Sequence, residues 1–305
     1  MSMSMTQAGN RTMAAALCIL GYAVLIGFVD NFVREIALIG GLWQFQLMRS
    51  AMAAAMMGLL ALPLALRLRP VSFRAVAARS LAHGTGILIY FGSLGFLSVA
   101  QASAGLFAAP IFVLLLARFY GHRIGMARLL AALVGFLGVL MVLQPGAQSD
   151  LDWRSLVPLA AGAFYALGNV ATREWCAQES AATLTLGFFI VLGLAGALGL
   201  AVLAILAPPV PEGAAGFLTR GWLWPGPAFL GWTLLQAVGS MLAIALLVTG
   251  YQIAEASRVT IFEYVLLPVV AGWSYLLWQE PLSLSAAIGI VLIIGAGALM
   301  VLRSR

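Results

Sequence analysis

Ala100-Gln101-Ala102-Ser103 and Ala254-Glu255-Ala256-Ser257 are two versions of one stretch, and their recurrence decides the fold. Each follows a long apolar run and opens another. Pro110 is followed twelve residues later by His122, and Pro268 is followed twelve residues later by Glu280. Both copies then close on Gly-rich apolar runs with similar letters, Gly138-Val139-Leu140-Met141-Val142 and Gly297-Ala298-Leu299-Met300-Val301. Self-similarity at a steady offset marks a duplicated structure. The offset is 154 at the opening stretch, 158 from the prolines to His122 and Glu280, and 159 at the closing runs. Further upstream, Asp30-x-x-x-Arg34-Glu35 matches Asn169-x-x-x-Arg173-Glu174 at an offset of 139. A Pro-rich loop around Pro208-Pro209-Val210-Pro211 accounts for the fifteen residues between 139 and 154. The duplication therefore covers the chain as two units, 1–147 and 148–305.

Composition sets the environment. Of 305 residues 63% are hydrophobic and 9% charged, and the mean hydropathy is +1.05. Soluble domains carry about 25% charged and about 45–50% apolar residues. Too few polar side chains remain here to cover a water-exposed surface, so the expected class is all-α integral membrane. A spanning helix takes about 20 mostly apolar residues. Ten runs qualify: roughly 13–31, 42–66, 80–99, 103–120, 127–144, 155–173, 182–206, 226–250, 257–278 and 283–302. Only Gln101 and Ser103 separate the third run from the fourth, which predicts a very tight turn there. The first apolar run continues for a full span, so no cleavable signal peptide is expected, and the ten residues before it read as disordered.

The net charge of +6 carries no lysine, and the arginines lie between apolar runs instead of forming one patch. That distribution argues against nucleic-acid binding and for topology determinants. With the N-terminus inside, the inner segments hold Arg11, Arg67, Arg69, Arg74, Arg79, Arg118, Arg123, Arg128, Arg173, Arg258, Arg303 and Arg305, twelve in all. The outer segments hold three, Arg34, Arg154 and Arg220. This asymmetry predicts a multi-pass protein of the cell (inner) membrane with both termini cytoplasmic. Five helices per unit is an odd number, so the two units enter the bilayer from opposite sides. Ten transmembrane helices as two inverted five-helix repeats is the arrangement many secondary transporters use for alternating access. Cys18 and Cys176 lie far apart in sequence and read as apolar fillers.

The 5+5 pattern and the segment from Pro268 to Glu280-Pro281-Leu282-Ser283 resemble the EamA domains of the drug/metabolite transporter superfamily. Phe262-Glu263-Tyr264 and the embedded Arg49 are also similar to that family. The first unit departs from it at Gly121-His122, where the family commonly has Gly-Glu. The resemblance covers nearly the whole chain. It implies ten helices, inside termini and transport of small metabolites, commonly outward, with amino-acid exporters, aromatic ones included, nearest in kind. A small-molecule substrate and the lipid bilayer are the expected partners, the chain being a monomer or homodimer with no cofactor.

Ionisable residues at membrane depth are costly and face a cavity or a partner. Glu263, beside Tyr264, reads either as a cavity carboxylate or as a structural acceptor for neighbouring helix ends. Asp30 and Arg49 read first as a structural ion pair and second as a solute-carboxylate site. Tyr165, Asn169 and Thr172 share one helical face, as do Trp232, Gln236 and Ser240. His83 and Tyr90 share another, though His83 is equally read as a helix cap near the membrane surface. With Tyr22 these predict an aromatic-walled cavity at the axis between the units, lined by Tyr22, Tyr90, Tyr165, Asn169, Trp232, Gln236, Glu263 and Tyr264. Such a wall suits an amphipathic solute; the alternatives to amino-acid export are uptake of another amphipathic metabolite, nucleoside-like or drug-like, and a non-transporting membrane scaffold. Gln101, Glu255, Pro110 and Pro268 are the expected hinges. There is no Walker sequence, no His-Glu-x-x-His and no Gly-x-Ser-x-Gly, and no enzyme is expected.

Overall fold

Hydrocarbon offers no partner for a free backbone N–H or C=O, so an apolar run can cross it only by pairing its own backbone as a helix. The computed structural model, which describes residues 2–93, 97, 99–144, 153–279 and 283–302, is helical in this way. Its α-helices are α1 (Ser2–Asp30), α2 (Val33–Ile39), α3 (Leu42–Ala61), α4 (Phe73–Ser93), α5 (Val99–Leu106), α6 (Ala109–Phe119), α7 (Met126–Leu143), α8 (Val157–Glu174), α9 (Ala181–Leu206), α10 (Pro227–Ile253), α11 (Ala256–Phe262), α12 (Leu266–Trp278) and α13 (Leu284–Leu302). Short 3-10 turns cover Trp153–Leu156, Gly213–Phe217 and Glu263–Val265. No strand occurs among the described residues.

Among the described residues, six segments are both long and apolar enough to cross a membrane: Arg11–Ile39, Ala102–Phe119, Met126–Leu143, Ala181–Leu206, Pro227–Ile253 and Ala256–Trp278. Leu284–Leu299 is a shorter apolar helix. Of the ten expected runs, those of α3, α4 and α8 are long enough, at 20, 21 and 18 residues, but less apolar. The reason is visible in what they bury. Gln44, Gln46 and Arg49 of α3, Arg79 and His83 of α4, and Tyr165, Asn169 and Thr172 of α8 are all buried. Leu194, Leu198 and Ile205 of α9 and Ile288, Val291 and Ile294 of α13 point outward, as an apolar solvent permits.

The broadest helix contacts pair α1 with α10, α3 with α9, α4 with α8, and α7 with α13. Small residues let these helices approach. A Cβ on Gly196 of α9 would lie 2.7 Å from the Trp43 carbonyl and Leu47 nitrogen of α3. A Cβ on Gly138 of α7 would lie 2.6 Å from the Gly289 carbonyl of α13, and one on Gly289 would lie 2.5 Å from the Gly138 carbonyl. Gly295, by contrast, faces open space.

Several local expectations change. The tight turn is found at Ala254-Glu255, between α10 and α11. In the first unit the link lies upstream: α4 ends at Ser93 and Gln101 already sits on the backbone of α5. The side chain of Gln101, and all of Glu280-Pro281-Leu282, lie outside the described residues. Pro110 and Pro268 do not kink continuous helices. Each stands in the first turn of a new one, α6 and α12, just after a break at Phe107-Ala108 and at Glu263–Val265. A proline lacks the N–H that a helix interior needs, so the first turn is its tolerated place. α1 reaches back to Ser2, ahead of the apolar run. Cys18 and Cys176 are free thiols.

Arg220 also has more than a topological role. It donates to the carbonyls of Ala37 (2.9 Å) and Gly40 (2.6 Å) at the C-terminal end of α2 and to that of Gly213 (2.6 Å). Gln44 donates to the Leu223 carbonyl at 2.6 Å and accepts from the Leu223 amide at 3.0 Å. The Pro-rich loop is thereby fastened over α2 and α3.

Candidate binding cavity

A cavity of about 350 Å³ opens among the helices. Its volume lies at the lower end of the ~300–1,000 Å³ common for small-molecule sites. The wall is mostly apolar and aromatic, with Tyr22, Tyr90, Phe91, Phe107, Tyr165 and Phe188 among its rings. It includes Asn31, Phe91 and Leu143, which lie at the C-terminal ends of α1, α4 and α7. Those three helices run in one direction, so the cavity reaches the end of the bundle where few arginines lie. Asp30, on that side, is exposed through it.

The break between α11 and α12 places Glu263 in the wall. Its carboxylate accepts from the Tyr165 hydroxyl at 2.6 Å, from Asn169 Nδ2 at 3.3 Å, and from the Tyr251 hydroxyl. α8 supplies two of these donors because Tyr165 and Asn169 are four residues apart on one face. Tyr251 was missed in the sequence reading. It follows Ser240 by eleven residues, three helical turns, and so continues the Gln236/Ser240 face of α10.

Asp30 and Arg49 both line the cavity, yet no ion pair joins them among the described residues. Asp30 accepts from Gln236 Nε2 at 3.1 Å, the same group that donates to the Val29 carbonyl at 2.8 Å. Arg49 donates from one terminal nitrogen to Gln46 Oε1 at 2.6 Å. Its guanidinium carbon lies 5.0 Å from the Phe45 ring centre and 5.8 Å from that of Phe189. The expected ion pair is replaced by two separately held charges.

His83 is no surface cap. It is fully buried, lines the cavity and packs its ring 4.5 Å from that of Tyr165. Neither ring nitrogen has a hydrogen-bond partner.

Three expected wall residues point elsewhere. Trp232 stacks on Phe32 with ring centres 4.8 Å apart. Gln236 is spent on Val29 and Asp30. Tyr264 faces away from its neighbour Glu263 and donates to the Ala132 carbonyl of α7 at 3.2 Å. Adjacent residues of a 3-10 turn point about 120° apart, so Glu263 and Tyr264 meet different neighbours.

The opposite end of the bundle, where most arginines lie, is closed by polar struts. Buried Arg79 donates to Thr172 Oγ1 (2.9 Å) and to the Leu184 carbonyl (3.2 Å), tying α4 to α8 and α9. Arg128 of α7 donates to Glu255 Oε1 at 2.5 Å and Ser257 Oγ at 2.7 Å, at the start of α11. Arg258 adds a contact to Glu255 at 3.3 Å. Burial opposes the charge on Glu255, but hydrogen bonds from Arg128 and Ser257 outweigh it and hold the carboxyl below its usual range. Arg173 caps the last carbonyls of α10 through Gln252, and His122 meets Glu174 at 2.9 Å. The chemistry available is thus recognition: a closed-ended cavity with rings, two carboxylates, one guanidinium and one imidazole.

No protein-family model matches the chain. A riboflavin transporter of Rhizobium johnstonii is 28% identical over 193 residues, which span 62% of this chain and 58% of that protein. A pseudopaline exporter of Pseudomonas aeruginosa is 29% identical over 221 residues, 70% of each chain. A crystal structure of another protein superposes with a TM-score of 0.78 over 96% of this chain and 99% of that one, at 17% identity. That likeness establishes a shared fold.

Proposed function

We propose that the chain is a secondary transporter that moves a small amphipathic organic solute by alternating access. The observation that carries this reading is the cavity, open toward one end of the bundle and closed by ion pairs and buried arginine at the other. Relatives named as transporters of riboflavin and pseudopaline support it.

The helix pairing supports ten spans in two inverted units. Let the units 1–147 and 148–305 exchange, so that α1 corresponds to α8, α3 to α9, α4 to α10, α5–α6 to α11–α12, and α7 to α13. The α4·α8 contact then becomes the α1·α10 contact, while α3·α9 and α7·α13 map onto themselves. A twofold axis predicts that pattern, and the solute cavity lies between the units. Alternating access follows when one unit rocks against the other. The arginine asymmetry makes the closed end cytoplasmic, with both termini there. The state described is then outward-facing.

Among solutes we favour amino acids, aromatic ones first, moved outward. Support comes from the tyrosine and phenylalanine wall and from the resemblance to the EamA exporters. Tyr22, Tyr90, Tyr165 and Glu263 are the proposed contacts of the earlier set that line the cavity; Asn169 acts through Glu263. Counterflow in proteoliposomes loaded with a panel of amino acids and riboflavin tests this. Exchange of labelled aromatic amino acids is the expected result. Exchange of riboflavin alone would overturn the amino-acid assignment, and no exchange of any solute would overturn the transporter reading.

A further inference from the structure

Each ionisable group in the cavity is held differently, and the difference identifies what a solute must bring. Glu263 is saturated by three protein donors. Asp30 has Gln236. Arg49 has one neutral acceptor, Gln46, and its Nε has none. It is only 5% exposed, and no carboxylate pairs with it among the described residues. Asp30, on the same wall, acts on it only through space, and a buried guanidinium with no carboxylate in hydrogen-bond contact is costly unless something else supplies that contact. Its environment also fixes its direction: Phe45 and Phe189 flank it, and Gln46 holds one terminal nitrogen. A fork so restrained is prepared for two parallel bonds to a planar or tetrahedral oxyanion. His83, on the same cavity wall, has no partner for either ring nitrogen among the described residues.

We infer that Arg49 is the recognition site for an anionic group, a carboxylate or phosphate, on the cavity's ligand, and that His83 contributes a further hydrogen bond to it. The inference rests on the transport reading for the ligand being a solute. It takes the second of the two readings of Arg49, a solute-anion site, in place of the structural ion pair with Asp30. Lysine would not serve equally, because a point charge lacks the fork.

The test is ligand-dependent thermal stabilisation of the purified full chain in detergent, using solute pairs that differ by one anionic group. Tryptophan against tryptamine and phenylalanine against phenethylamine form the carboxylate arm, and FMN against riboflavin forms the phosphate arm. One arm is expected to show a preference for the anionic member of about tenfold to hundredfold in apparent affinity, the range of a charge-assisted hydrogen-bonded contact. Arg49→Gln should abolish that preference, Arg49→Lys should retain part of it, and His83→Ala should reduce it less. Arg49→Lys keeps the test valid if Arg49→Gln does not fold. No preference in either arm, or full preference in both Arg49 variants, would overturn the inference. Anion-selective stabilisation without counterflow of any solute would instead overturn the transport reading alone.

Discussion

The two broken helices, α5–α6 and α11–α12, correspond in the proposed two-unit arrangement and end in very different chemistry. The first breaks at Phe107-Ala108, among small and apolar side chains. Its neighbour is packing: a Cβ on Gly162 of α8 would lie 2.5 Å from the Gly105 carbonyl of α5. The second breaks on Glu263, whose carboxylate gathers hydroxyl and amide donors from α8 and α10. If the fold is duplicated as proposed, both copies share the bend and only one carries the charge: α5–α6 has close backbone contact where α11–α12 has an acid.

Replacing that acid should have the largest effect. Glu263→Ala leaves Tyr165, Asn169 and Tyr251 with buried donors and no acceptor, at a cost of at least about 3 kcal/mol. Glu263→Gln retains an acceptor and should cost much less. Fluorescence-detected melting of the two variants measures the gap, and equal melting would show the second break to be as apolar in its energetics as the first.

At the first break the sensitive point is contact. Gly162→Ala drives a methyl into the Gly105 carbonyl and should destabilise the fold by about 2 kcal/mol. The same melting assay reads it, and an unchanged midpoint would mean that α5 yields freely.

The starts of the two broken helices give a smaller, pH-dependent difference. Glu255 at the start of α11 pairs with Arg128 and Arg258, a contribution of about 1 kcal/mol for partly exposed pairs. Its folded pKa is depressed below the ordinary glutamate value of 4.5. The contribution is therefore complete above about pH 4.5 and is lost as pH falls through the lower folded value. Wild type and Glu255→Gln should differ in melting temperature at pH 7 and converge in strong acid. A gap that persists at pH 3 would detach the effect from the carboxylate.

The smallest stability effects belong to the prolines. Pro110→Ala and Pro268→Ala, both in first turns, should change stability by no more than about 1 kcal/mol. As hinges, both should slow counterflow turnover. Wild-type kinetics in either variant would remove that half-helix from the gating motion.

Hydropathy made the helices legible, because a backbone in hydrocarbon has one solution. It was less decisive for α3, α4 and α8, whose polar residues are turned inward and lower the average. Same-face arithmetic brought Tyr165 and Asn169 to Glu263, since spacing of four is local to one helix. It could not say which neighbour a face meets. Trp232 and Gln236 share a face with Ser240, yet only Ser240 lines the cavity. Tyr264 follows Glu263 directly and points to α7. Asp30 and Arg49 lie on the same wall but are claimed by Gln236 and Gln46, acceptors and donors whose reach depends on rotamers and helix rotation. Tyr251 and His83 carried signals of spacing, eleven from Ser240 and seven from Tyr90, that become meaningful only once the helices are assembled.

The meeting of Gly138 and Gly289 has a consequence for how this chain can vary. Each lends its carbonyl to the space where the other lacks a side chain. A methyl at either position already forces α7 and α13 apart, and a second methyl then enters a gap that the first has opened. The cost of the double substitution should fall well short of the sum of the singles. Selection therefore sees two positions in separate halves of the sequence as a single locus: once one has drifted, the other is released.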